Sequence, residues 1–182
     1  MTSSEQPATD PSTNPATEPA DQLGAETEQS SQISVSAQER AAATELLALY
    51  AEAIDAGDFE GVADLLSDAE LFDDSGNLIA QSRSEILALY TAMTLKHADG
   101  TPMTAHVITN VIVDTAGPNK LQMRSRFTVF QATDSLPLQV VVVGRYVDTL
   151  TLKDGTWRFT TRVMMPQAWG DVTQHLSFDP RR

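Results

Sequence analysis

The chain has 182 residues, with 12 Lys plus Arg against 25 Asp plus Glu, three His, no Cys and a net charge of −13. That charge repels phosphate backbones and no basic patch offsets it, so nucleic acid is excluded as an expected partner, and without cysteine there is no disulfide framework, thiolate metal site or thiol nucleophile. No apolar run approaches the roughly 18 residues of a membrane span, and the opening Met-Thr-Ser-Ser-Glu-Gln-Pro lacks the basic and apolar parts of a signal peptide, so the expectation is a cytoplasmic protein with no membrane partner.

Residues 1–36 hold six acids, no base and four of the nine prolines. So little apolar surface cannot offset the entropy of ordering, and the segment reads as a disordered acidic tail. From residue 37 the composition is that of one globular domain, expected over 37–170, with 171–182 as a C-terminal tail. Within it the charge is uneven, at −10 over residues 37–82 and +3 over 83–182.

Ser36-Ala-Gln-Glu39 has the spacing of a capping box and predicts a helix start. Leu46, Leu47, Tyr50, Ala53 and Ile54 then recur at helical steps, and Gly57 is a left-handed terminator. Asp58 caps a short second helix carrying Phe59, Val62, Leu65 and Leu66. Glu70 to Phe72 reads as a short strand, followed by turn chemistry at Asp74-Ser-Gly-Asn77. Ser82-Arg-Ser-Glu85 repeats the capping box, and Ile86, Leu89, Tyr90 and Met93 mark a third helix running to about His97.

Beyond Gly100 the period becomes that of strands. Met103–Asp114, Leu121–Gln131, Leu138–Leu152 and Thr156–Met165 are rich in Val, Ile and Thr and are separated by turn signals. The predicted fold class is therefore α+β, a curved four-stranded antiparallel meander with three N-terminal helices over its concave face, forming a cone with an apolar interior. Gly144 is the expected kink in the longest strand.

No P-loop, dinucleotide-binding glycine pattern, His-Glu-x-x-His or nucleophile elbow occurs, so no cofactor and no metal are expected. The chemistry rests on single polar residues in unfavourable places. Asp55 falls in the last turn of the first helix, where the dipole disfavours a carboxylate by roughly 0.3 to 1 kcal/mol; the alternative is a solvated residue on a frayed end. His106 lies within a strand, on the face assigned to Ile108, Asn110 and Ile112. Beside a carboxylate it would suit a general base, and otherwise it is a core histidine satisfied by a carbonyl. Arg162 shares a strand face with Arg158, Thr160 and Met164, and its donor fork could hold an anion or belong to an outer sheet face. Tyr50 reads as a core aromatic whose hydroxyl could reach a pocket. His97 suits a helix C-terminus, and His175 a polar tail.

Taken together, Tyr50-Ala-Glu-Ala-Ile-Asp55-Ala-Gly-Asp-Phe, Thr104-Ala-His106-Val-Ile-Thr-Asn110, Arg-Phe-Thr-Val-Phe-Gln and Gly-Thr-Trp157-Arg-Phe-Thr-Thr-Arg162 resemble the SnoaL-like branch of the nuclear transport factor 2-like superfamily. The resemblance spans residues 37–168 and implies the cone-shaped fold, which hosts many activities and non-catalytic binding modules. The enzymes it points to are scytalone dehydratase, bile-acid 7α-dehydratase and hexachlorocyclohexane dehydrochlorinase. By that resemblance His106 abstracts a proton, Asp55 orients it, and Arg162 with Tyr50 supports the leaving group or an enolate oxygen. A second strand histidine of scytalone dehydratase has no counterpart around Arg126 or Arg145. The implied function is a cofactor-independent lyase or isomerase acting on a hydrophobic, cyclic or steroid-like small molecule. The alternatives are a non-catalytic small-molecule-binding or protein-interaction module, and an epoxide hydrolase, which needs a second Asp near Arg162. The exposed sheet face, rich in Val and aromatic residues, predicts a homodimer or homotrimer.

Overall fold

The computed structural model describes residues 34–181. The expected acidic tail lies outside these residues up to residue 33. Helix α1 spans Ala37–Asp55. It begins at a reciprocal cap, in which Ser36 Oγ accepts the Glu39 amide at 3.2 Å and the Glu39 carboxylate accepts the Ser36 amide at 2.8 Å. Ala43, Leu47, Tyr50 and Ile54 form its buried stripe. The chain turns off at Gly57, whose φ of +69° is the left-handed conformation that a glycine adopts without strain.

Helix α2, Phe59–Leu65, starts where the Asp58 carboxylate accepts the Gly61 amide at 2.9 Å. Strands β1, Glu70–Phe72, and β2, Leu78–Ala80, flank a turn in which Asp73 accepts the Ser75 and Asn77 amides. Helix α3 covers Arg83–Met93. Its cap departs from the predicted box: Ser82 accepts the Glu85 amide, but the Glu85 carboxylate reaches the Gln81 amide. The helix also stops short of His97, because Thr94 is extended and bridges Leu176.

Four long strands follow: β3, Thr104–Gly117; β4, Lys120–Thr133; β5, Leu136–Lys153; and β6, Thr156–Trp169. They pair as the expected antiparallel meander, but the sheet is larger and mixed, in the order β2-β1-β6-β5-β4-β3. Strand β1 pairs parallel to β6 and β2 antiparallel to β1. Three-residue strands are too short to show alternation, so β2 left no period to read.

Irregular pairing decides which side chains face inward. In β3, Thr109 pairs with Arg126 and Ile112 with Arg124, so one residue is extra. Asn110, at φ +54°, absorbs it. The inward face of His106 and Ile108 therefore continues with Val111 and Val113, not with Asn110 and Ile112 as expected. In β6, Phe159 pairs with Leu150 and Arg162 with Asp148, which again leaves one residue extra. Phe159 and Arg162, three positions apart, thus share the buried side. In β5 an extra residue opposite β4 falls between Val140 and Val142, and at Gly144, the predicted kink, the ladder with β6 shifts register, Val143 pairing with Ala168 and Gly144 with Pro166. Gly144 also makes room for Phe127, whose ring would collide with a Cβ there and stacks on Tyr146 at 4.4 Å.

After β6 the chain folds back across the end of α3. The Leu95 amide donates to His175 O at 2.9 Å and the Ser177 amide to Met93 O at 3.0 Å. The Gln131 side-chain amide donates to both Gln174 O and Pro102 O. His175 is consequently buried, at 6% exposure, which corrects its reading as part of a polar tail. No helix among the described residues is long and apolar enough to cross a membrane.

Candidate active site

The last residue of α1 and the third residue of β3 meet. Asp55 Oδ1 lies 2.6 Å from His106 Nδ1 and accepts the Thr104 hydroxyl at 2.7 Å, while Oδ2 accepts the His106 amide at 2.7 Å. These bonds offset the helix-dipole cost that made Asp55 conspicuous in the sequence. Partial burial works to raise the Asp55 carboxyl, but the His106 ring and amide and the Thr104 hydroxyl outweigh it and hold it below the usual range. An ionised carboxylate only accepts, so Nδ1 carries a proton, and in the neutral ring the lone pair is on Nε2. The His106 side chain is 7% exposed.

Its ring lines a cavity of about 640 Å³ between α1, α3, the sheet and the C-terminal segment. Tyr50, Phe127, Tyr146 and Trp169 supply aromatic wall, with Val129, Val142 and Met164 between them. Tyr50 sits edge-on to His106 at 6.3 Å and to Tyr146 at 5.9 Å, and its hydroxyl is 3.1 Å from that of Tyr90. Burial, then the neighbouring Tyr50, pushes the Tyr90 and Tyr146 hydroxyls up, so both remain neutral hydrogen-bond donors.

Arg162, expected to face the cavity, does not line it. It is 0% exposed and forms a buried two-point ion pair with Asp148, at 2.7 and 3.2 Å. Its guanidinium lies 4.2 Å from the Tyr50 ring centre, 4.4 Å from that of Tyr146 and 4.7 Å from that of Phe159. The extra residue in β6 places it there, behind the tyrosines. Burial works to discharge Arg162, but Asp148 overcomes it and keeps the guanidinium charged.

His175, read as part of a polar tail, Tyr90, read only as a helix position, and Tyr146 and Trp169 were not expected as site residues, yet all line this cavity. Tyr146 was legible as an inward position of β5, two residues from Asp148 and Gly144. His175 carried no local signal. His97 lies outside the cavity, its Nε2 3.0 Å from Gln174 O. Among the described residues no group of three or more His, Asp or Glu could hold a metal.

Burial, then the nearby His106, pushes His175 down from 6.5 to about 4. Between those values the unfolded chain binds the proton and the folded chain does not, so stability is complete above pH 6.5 and falls as the pH drops towards 4. The expected loss is roughly 3 kcal/mol. Urea unfolding at pH 7 and pH 4.5 should show this slope in the natural sequence and not in His175→Phe; equal slopes contradict it. Asp55, lowered from 3.8, acts in a separate, more acidic interval.

A curved, unclosed sheet with helices packed on it, and His106 at the wall of a cavity rich in aromatic side chains, defines an α+β fold of the cystatin-like class. Residues 35–163 match the SnoaL-like domain model, and the chain belongs to that family. No curated protein matches it significantly. Among solved structures, a candidate scytalone dehydratase from Novosphingobium aromaticivorans aligns with a TM-score of 0.59 at 22% identity, covering 74% of this chain and 87% of that one. The crystal structure of LinA aligns with a TM-score of 0.58 at 18% identity, over 75% of this chain and 90% of that one. A variant of Rv3472 from Mycobacterium tuberculosis, described as a protein of unknown function, aligns with a TM-score of 0.58 at 23% identity, over 71% and 72%. Likeness at these identities establishes the fold and not the activity.

Proposed function

We propose that this chain is a cofactor-independent lyase or isomerase in which His106 removes a proton from a carbon beside an activating group of a cyclic, largely apolar substrate. The observation that carries the reading is the Asp55–His106 pair, 2.6 Å apart, with His106 at the wall of a cavity large enough for a multi-ring molecule. The Nδ1 proton is committed to Asp55, so Nε2 is the base, and the imidazolium formed is stabilised by the same carboxylate. In this reading the Tyr50 hydroxyl, 3.1 Å from that of Tyr90, donates to the oxygen on which charge develops. Arg162 contributes through the rings of Tyr50 and Tyr146 as a positioning residue, without touching substrate.

The epoxide-hydrolase alternative required a second carboxylate near Arg162. Asp148 is that carboxylate, but the pair is wholly buried and outside the cavity, where it cannot activate water. The test is deuterium incorporation from heavy water into the α-position of cyclic ketones, followed by proton NMR. Exchange accelerated by the natural chain and not by His106→Ala supports the lyase or isomerase reading. Tight binding across the ketones with no exchange supports the binding module instead.

Val107, Ile112 and Val140 are each more than a third exposed on the outer face of the sheet. A homodimer or homotrimer covering that face is the expected assembly. Light scattering on the eluted peak measures it, and a clean monomer contradicts it.

A further inference from the structure

Among the described residues, buried polar side-chain atoms without a partner occur on Ser125, Gln131, Arg145, Arg162 and His175. Of these residues only His175 lines the cavity. Its ring was not drawn inward by a partner: Nδ1 is sealed from solvent with none, and neither ring nitrogen makes a hydrogen bond among the described residues. The backbone brings it there: the His175 amide donates to Val172 O, its carbonyl accepts from Leu95, and Gln131 holds the preceding carbonyl. An apolar side chain at this position would leave no polar atom unpaired.

The two imidazoles of the cavity are therefore unlike. His106 is tied through Nδ1 to a carboxylate. His175 has no such companion and is held uncharged by its surroundings. An uncharged imidazole has one donor and one acceptor nitrogen, which matches a hydroxyl or carbonyl oxygen and suits neither a carboxylate nor an ammonium group as well.

We propose that His175 is a ligand-binding residue whose ring hydrogen-bonds a hydroxyl or carbonyl oxygen of the substrate, so that the cavity selects oxygenated ring compounds over the corresponding hydrocarbons. This deepens the functional reading above and rests on the same cavity being the substrate site.

The test compares α-tetralone with tetralin, which share a bicyclic body and differ by the ketone oxygen, by calorimetric titration of the full chain. The natural sequence should prefer the ketone, and His175→Phe should reduce that preference by about threefold to tenfold while tetralin binding is kept. His175→Asn, which retains hydrogen-bonding groups, should recover part of it. In the natural sequence, ring-nitrogen NMR shifts of His175 should move with α-tetralone and not with tetralin, a readout independent of any variant's folding. An unchanged preference in His175→Phe, equal losses for both compounds, no ketone preference at the outset, or a His175 ring unresponsive to the ketone overturns the proposal. Absence of deuterium exchange with the ketone preference intact would instead remove the proton-abstraction reading and leave His175 in place.

Discussion

Replacing His106 by alanine is expected to lower turnover by about 10²- to 10⁴-fold, the contribution of a positioned general base. The fold should survive, because the bonds that hold Asp55 do not all depend on the ring. The Thr104 hydroxyl and the His106 backbone amide still donate to the carboxylate in the variant. A change in Tm of no more than about 5 °C is expected. Asp55→Asn should also cost at least about 10²-fold. Asparagine keeps the size but loses the charge that stabilises the imidazolium, and its amide cannot accept at both atoms from Thr104, the His106 amide and Nδ1. Steady-state kinetics on the exchange reaction, with circular dichroism as the folding control, measures both. Full activity in His106→Ala contradicts the mechanism.

The largest stability effect is expected at Arg162. Replacing it by methionine leaves Asp148 buried without a counter-charge and removes the cation packed on three aromatic rings. Breaking one side of a buried pair costs about 3 to 5 kcal/mol, which for a chain of this size lowers Tm by about 10 °C or more. Burial already pushes the Asp148 carboxyl up, against the pull of Arg162, so without the guanidinium it should take up a proton. The double variant Asp148→Leu with Arg162→Met removes both charges and should recover most of the loss. If it does, and turnover stays low, the role of Arg162 in holding Tyr50 and Tyr146 is separated from its role in stability. A single variant as stable as the natural chain contradicts the account of the pair.

The elements that were legible in the sequence are those with local signals. Two Ser-x-x-Glu starts, an Asp cap and Gly57 mark the helices, and runs of Val, Ile and Thr mark the long strands. What could not be read depends on single extra residues and on distant partners. One additional residue near Thr160 turns Arg162 from the face of Arg158 to that of Phe159, and nothing in Thr-Thr announces it. Two irregular positions had a local cue, Gly144 and Asn110, since glycine and asparagine fit irregular backbone. His175 is buried because Gln131, more than forty positions earlier, grips the carbonyl before it, a constraint invisible in Thr-Gln-His-Leu-Ser. Asp55 and His106 were noticed because each breaks a local preference, a carboxylate at the negative end of a helix and an imidazole inside a β-branched strand. Their 2.6 Å contact is made by α1 crossing β3.

The most direct test of the site is a crystal structure of the full chain with α-tetralone. The account predicts the ketone in the cavity with its α-carbon about 3 to 3.5 Å from His106 Nε2, close enough for proton transfer, and Asp55 still on Nδ1. A ketone bound elsewhere, or a His106 ring turned away from the cavity with Asp55 released to solvent, would contradict it.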